Sequence, residues 1–352
     1  MAMSPPAFRR CSPRPGAFTL LEMLVATAVF LVILASAFAV FDQSSKAIRN
    51  SSAKIDSFQA ARAAFDIMAR KLSQATLNTY WDYYDAAGTP YRLAANPVGF
   101  VPTRYGRYSD LHFISGASAG LLSQLPPKYT ATAGQAVFYV APLGLTGRPD
   151  VKDVQDTLNA CGFFIAFGSD EEGRPGFIQR APSYRWRLLE LNSPTEAFTT
   201  MQTSLGTGWF TDPVKAGAVR PVAENVIALI IWPRLPSQED PAGTTLSPDF
   251  QYDSRTSRPW TGSPPRQDVQ AHQLPPVLQM TMVVLDEKTA KRWENSASPP
   301  AEITGALSGL FENDVTKVQD NLAELEKRLI AKRADYRIFN TSIALRESKW
   351  SP

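Results

Sequence analysis

Between Phe18 and Phe41 the chain is almost uninterruptedly apolar, and the single charge in that stretch is Glu22. A helix of about 24 such residues crosses the hydrocarbon core of a bilayer. A carboxylate inside it costs about 2 to 3 kcal/mol near mid-bilayer, so it calls for a partner. The expectation is one membrane segment with Glu22 as its functional residue.

The partner follows from a cut just before Phe18. Such a cut frees an ammonium four residues from Glu22, and the ammonium of a neighbouring copy can pair with the carboxylate in lipid. Residues 1–17 carry Arg9, Arg10 and Arg14 and no acidic residue. Positive flanks stay cytoplasmic, which puts everything after Phe41 on the far side of the membrane.

A basic leader, small residues Gly16-Ala17, then Phe18-Thr19-Leu20-Leu21-Glu22 and an apolar helix resembles the class III signal of type IV pilins and pseudopilins. The resemblance implies cleavage between Ala17 and Phe18 by a prepilin peptidase, methylation of the Phe18 amine, and neutralisation of that amine by Glu22 during assembly. It implies as partners other pilin-like subunits, an inner-membrane assembly platform and membrane lipid. The family's usual Gly before the cut is Ala17 here. Cleavage after Gly16 would put Glu22 one position late.

Two plainer readings stand beside this one. Ala35-Ser36-Ala37 and Ala37-Phe38-Ala39 fit the cleavage pattern of an ordinary secretory signal, which would release a soluble domain. A simple uncut anchor is the other.

Loss of the leader takes 36 basic residues to 33, against 33 acidic, so bulk charge gives no case for nucleic-acid binding. With Cys11 in the leader, Cys161 stands alone in the apolar run Cys161–Phe167, where a thiol packs as a small core residue. His112 and His272 are the two histidines, and no H-E-x-x-H, Cys pair, G-x-S-x-G or P-loop accompanies them. Asp150, Asp153 and Asp156, and the turn Asp170-Glu171-Glu172-Gly173, lack EF-hand spacing and read as solvated charged faces. No catalytic residue, metal site or cofactor is expected.

After Phe41 no Pro or Gly interrupts the chain before Gly88. Ile48, Ile55, Phe58, Phe65, Ala69 and Leu72 recur at helical spacing, broken by Arg62, and predict one helix from Thr19 to about Asn78. Its amphipathic half, 42–80, should carry a head at 81–352, with Phe58, Phe65 and Leu72 facing the sheet. A coiled-coil seam is the alternative. Tyr80-Trp81-Asp82-Tyr83-Tyr84 should end the helix and cover it, or offer a sugar-stacking surface.

Strands are expected over 111–115, 136–141, 161–167, 184–191, 226–232, 277–285 and 336–345. Their connections are not regular βαβ units, so the fold class is α+β: a long N-terminal helix packed against a largely antiparallel sheet. Residues 313–335 read as a second helix, apolar along Val315, Val318, Leu322, Leu325, Leu329 and Ile330. The stretch 233–276, dense in Pro, Ser, Asp and Gln, reads as a partly disordered excursion or an intersubunit arm.

Pro221–Leu229 and Leu274–Met282 are similar to the late strand pair of J-type minor pseudopilins of type II secretion. The ending, with Val284-Leu285-Asp286-Glu287 and Tyr336-Arg337-Ile338-Phe339, is more similar to the pilin-like C proteins of Verru_Chthon cassettes. These resemblances imply a noncatalytic subunit of a pseudopilus or short filament, a minor one given the bulk of its head. The runner-up is a surface or secreted binding protein.

Overall fold

The computed structural model describes residues 19–348 except 153, 172–173, 198–205, 259–269 and 295–296. The expected cleavage junction Ala17–Phe18 lies outside the described residues, as do Asp153 and Glu172. The chain divides into two compact units, Met1–Ala53 and Lys54–Pro352. Helix α1 (Leu20–Leu72) supplies the described helix of the first unit and the opening helix of the second.

In the first unit the helix is apolar to Phe41 and polar beyond it, and its described side chains lie almost wholly exposed. In the second, Phe58, Ala61, Phe65, Met68 and Leu72 are buried. Their alternating spacing of three and four lays one stripe along the helix. Ile48 and Ile55 are exposed, so the buried stripe begins later than the apolar pattern does. Arg62 lies off it, 3.9 Å from Asp66 on the solvent side.

The helix ends at Leu72, short of the expected Asn78. Tight bonds from Gln74 N–H to the Lys71 carbonyl and from Ala75 N–H to the Leu72 carbonyl close its last turn. Thr76 N–H is then taken by the Val140 carbonyl of a strand, 2.9 Å away. Tyr80–Tyr84 is strand β1, paired antiparallel with β2 (Arg104–Tyr108) in a two-stranded sheet. Aromatic residues favour the pleated surface that a partner strand provides, and that preference outweighs helical continuity here.

A six-stranded antiparallel sheet holds β3 (Ile114–Ala117), β4 (Tyr129–Pro142), β5 (Leu158–Ser169), β6 (Tyr184–Asn192), β7 (Val219–Glu224) and β9 (Tyr252–Asp253). Its order is β7-β6-β5-β4-β3-β9. A three-stranded antiparallel sheet runs β11-β10-β8, with β8 at Val226–Arg234, β10 at Val277–Leu285 and β11 at Tyr336–Ala344. The α+β class is therefore as read, and all seven expected strands are present, the first shifted from 111–115 to Ile114–Ala117. Strand β7 tolerates Pro221 because it is a sheet edge. The two segments likened to a late strand pair contribute β8 and β10, which pair directly.

The two large sheets meet where β4 crosses β8. Gly134 sits in a bulge of β4 at φ +64°, and a Cβ there would lie 2.8 Å from the Leu229 carbonyl oxygen. Glycine is what lets the two backbones approach. Strand β5 is buried along both faces, with Cys161 in its interior.

Helices α2 (Ser118–Leu121), α3 (Gly208–Lys215), α4 (Glu287–Trp293) and α5 (Ala301–Leu307) were not expected. Each is under three turns, too short for a periodic signal. The last helix, α6, spans Val318–Ala331 after a 3-10 turn at Val315–Lys317. Ile330, assigned to its apolar face, is 64% exposed; one residue past Leu329, it points away from the buried side.

The reading of 233–276 as disordered or as an arm is overturned for its described residues. Leu235, Leu246, Phe250, Tyr252 and Leu274 are buried, and Tyr252–Asp253 extends the large sheet beside β3. Asp240 accepts from Gly243 N–H at 2.9 Å and Thr245 N–H at 2.8 Å, and Trp232 Nε1 donates to the Gly243 carbonyl. A Cβ on Gly243, which has φ +69°, would strike the Trp232 ring at 2.3 Å. Widely spaced apolar anchors and side-chain-to-backbone bonds replace periodic structure, so composition alone misread the segment.

Candidate functional site

Glu22 opens α1, and its carboxylate accepts from Thr19 N–H at 3.0 Å and Thr19 Oγ1 at 3.1 Å. Thr19 Oγ1 accepts in turn from Glu22 N–H at 3.2 Å. Thr19-Leu20-Leu21-Glu22 is a reciprocal capping box, which satisfies otherwise orphaned donors at a helix start. The partner demanded for Glu22 is thus local within the single chain. Leu21, Val25, Ala26, Val29, Phe30 and Ile33 surround it with apolar surface on the same helix. By length and composition α1 can cross a membrane, as can a signal sequence.

In the second unit His112, His272, Cys161 and Asp170 are bound into the fold. His112 is buried between α3 and the large sheet: Trp209 Nε1 donates to its Nδ1 at 3.1 Å, so its Nε2 carries the proton and donates to Asp253 at 2.7 Å. Burial holds its pKa below the ordinary histidine value. Both nitrogens are committed to structural partners on elements distant in sequence. His272 accepts at Nδ1 from Ser109 N–H at 3.2 Å, with its ring 4.9 Å from Tyr108. Burial first, then Arg255 and Arg104, lower its pKa to about 4.

Cys161 is buried as expected for a small core residue, and burial pushes its thiol up to about 12. Asp170 departs from the solvated face expected of it. It binds Arg174, Arg180 and the Ser183 N–H, and these bonds outweigh burial to hold its pKa well below the usual range. Asp150 pairs with Arg148 at 2.7 Å. Among the described residues no three His, Cys, Asp or Glu side chains converge as a metal site would require.

Sequence reasoning missed the polar tie beneath α1. Glu190 of β6 is 1% exposed and receives Lys71 from the helix and Arg220 from β7, the latter through Nη2 at 2.7 Å. An i,i+2 alternation could have placed Glu190 inward, but nothing local names its cations. Sequence reasoning named the aromatics of Tyr80–Tyr84 but not the strand Arg104–Tyr108 that pairs with them and brings Tyr105 and the flanking arginines. Trp81 stacks on Tyr105 at 5.3 Å, and Tyr83 lies 5.0 Å from the same ring. All three stay about half exposed.

Among known proteins, the family described as the prokaryotic N-terminal methylation motif matches residues 13–38. That match spans the expected leader junction, Glu22 and most of the apolar stretch, and it supports a type IV pilin-like protein that is a substrate of prepilin peptidase. No curated protein and no solved structure matches the chain.

Proposed function

We propose that this pilin-like chain is a noncatalytic structural subunit of a pseudopilus or short type IV filament. It is cut between Ala17 and Phe18 and methylated on the Phe18 amine. Before assembly it rests in the inner membrane, with the leader cytoplasmic and the head outside. An assembly platform then draws it into contact with other pilin-like subunits, where Glu22 exchanges its bond to Thr19 for the Phe18 ammonium of a neighbour. The bulk of the head fits a minor subunit, as in J-type pseudopilins or the C proteins of Verru_Chthon cassettes.

One observation carries this reading: from Leu20 to Phe41 the helix is exposed and apolar, bears one charge, Glu22, and lies mostly within the residues that the methylation motif matches. Such a surface is untenable in water and needs lipid or other helices around it. Mass spectrometry of the N-terminus of membrane-extracted protein is the test. A methylated Phe18 is expected. A terminus at Phe38 or Val40 would mean ordinary signal cleavage, and an intact Met1 a simple anchor.

A further inference from the structure

A cavity of about 410 Å³ lies at the crossing of β4 and β8, with α5 and the turn at 308–313 among its walls. Sites for small molecules have this size. Gln135, Trp186, Leu229 and Phe250 in its lining are buried, whereas Gly134, Ser308 and Glu312 are exposed, so it runs from the interior to solvent. Three lining residues have left-handed backbones: Gly134 at φ +64°, Phe250 at φ +64° and Phe311 at φ +60°. Bulky residues rarely adopt that conformation, and such strain gathers where a fold clamps a ligand.

Two of the buried lining residues carry unpaired donors. Gln135 accepts at Oε1 from the Ile231 N–H of β8, and since only the amide oxygen can meet a backbone N–H, the orientation of the amide is set. Its Nε2 is left buried with no hydrogen-bond partner among the described residues. Trp186 Nε1 is buried and unpaired in the same way, and each of the two residues is 3% exposed. A buried donor without a partner is costly, and an occupant that accepts from it recovers that cost. The charge of the lining selects the acceptor. Among its described residues there is no Lys, Arg or His, while Asp249 and Glu312 bring carboxylates. An anion would be repelled and left without a cation, so the acceptor must be neutral.

We infer that this cavity binds a small neutral molecule with an apolar body and a carbonyl acceptor, an acyl amide or ester. Trp186 Nε1 and Gln135 Nε2 are the donors to its carbonyl, and Leu229, Phe250, Leu310 and Phe311 give the apolar body its surroundings. Apolar walls with a few placed polar groups are the usual make-up of such a site, the walls giving affinity and the polar groups orientation. This inference stands independently of how the N-terminus is processed.

The probe is N-benzylacetamide, titrated into the isotope-labelled full chain in detergent micelles, with its concentration outside the micelle measured by dialysis. Nuclear magnetic resonance follows the indole N–H of Trp186 and the side-chain amide of Gln135. A saturable shift of both signals is expected. Trp186→Phe keeps a ring and removes the N–H, and should weaken binding about tenfold as read at Gln135, the worth of one hydrogen bond to a buried donor. Ser308→Trp fills the exposed mouth from a different segment and should abolish the shift at Trp186, so misfolding of one variant leaves the other informative. 3-Phenylpropanoate, anionic and of similar size, and butylbenzene, which lacks the carbonyl, should each bind at least about tenfold more weakly than the amide. Absence of a saturable shift overturns the inference. So does equal binding of 3-phenylpropanoate or of butylbenzene, or parental binding by either variant.

Discussion

Phe65 of α1 meets Phe339 of the last long strand, β11, with ring centroids 5.8 Å apart and planes tilted by 34°. The contact joins the two ends of the second unit's sequence, and Arg337 lies over the neighbouring Phe58 ring at 5.1 Å. Phe65→Ala should therefore destabilise the head by about 3 to 5 kcal/mol, the usual cost of a buried Phe truncation. Thermal or denaturant unfolding reads it. An unchanged midpoint would mean that the stripe is not packed against the sheet and would revive the coiled-coil reading.

Glu190 holds two cations from two elements, so its loss and theirs are unequal. Glu190→Gln leaves Lys71 without its carboxylate in a largely buried position and should cost about 3 kcal/mol. Lys71→Met should cost less, because Arg220 still neutralises Glu190. In a double-mutant cycle the two substitutions should couple by about 1 kcal/mol or more. Simple additivity in that cycle would show that the pair is not formed.

Acidification should destabilise the head before its carboxylates titrate. His272 has a folded pKa of about 4 against about 6.5 unfolded, so between those values the unfolded chain binds more protons. Its contribution is fully present above about pH 6.5 and is lost as pH falls toward 4. His112 acts with the same sign, its pKa lowered by burial, while Asp170 and Asp253, both held low, act at lower pH. His272→Asn suits the left-handed backbone at φ +55° and keeps an acceptor for Ser109 N–H. The melting temperature of that variant should depend less on pH between 4 and 6.5. An unaltered slope would assign the effect elsewhere.

The capping box and the proposed intersubunit pair make opposite demands on one substitution. Glutamine at the third helical position still completes a capping box but brings no charge. If Glu22 serves only its own helix end, Glu22→Gln should assemble like the parent chain. If it neutralises the Phe18 ammonium of a neighbour, Glu22→Gln and Glu22→Ala should both be cut and inserted yet fail to enter sheared filaments, since an unpaired buried charge costs about 3 to 5 kcal/mol. Comparing membrane-pool and filament fractions of the two variants decides between these roles.

Before Leu72 the amino acid sequence alone determined most of what can be said. The apolar stretch, the lone Glu22 and the basic leader act through solvation and local spacing, which need no tertiary partner to be legible. The seven expected strands were legible for a related reason, since β-branched and aromatic runs between turn residues declare themselves locally. Tertiary structure alone decided the rest. The helix does not resume past Leu72 because Val140 of a strand takes the Thr76 N–H, and β1 is a strand because Arg104–Tyr108 pairs with it. Residues between Pro233 and Pro276 look unfoldable by composition, yet Leu246, Phe250 and Tyr252 are interior because the two large sheets leave a site that sparse anchors can fill. Glu190 finds Lys71 across 119 positions, and His112 finds Trp209 across 97. Those contacts depend on strand order and sheet crossing, which spacing within a segment does not encode.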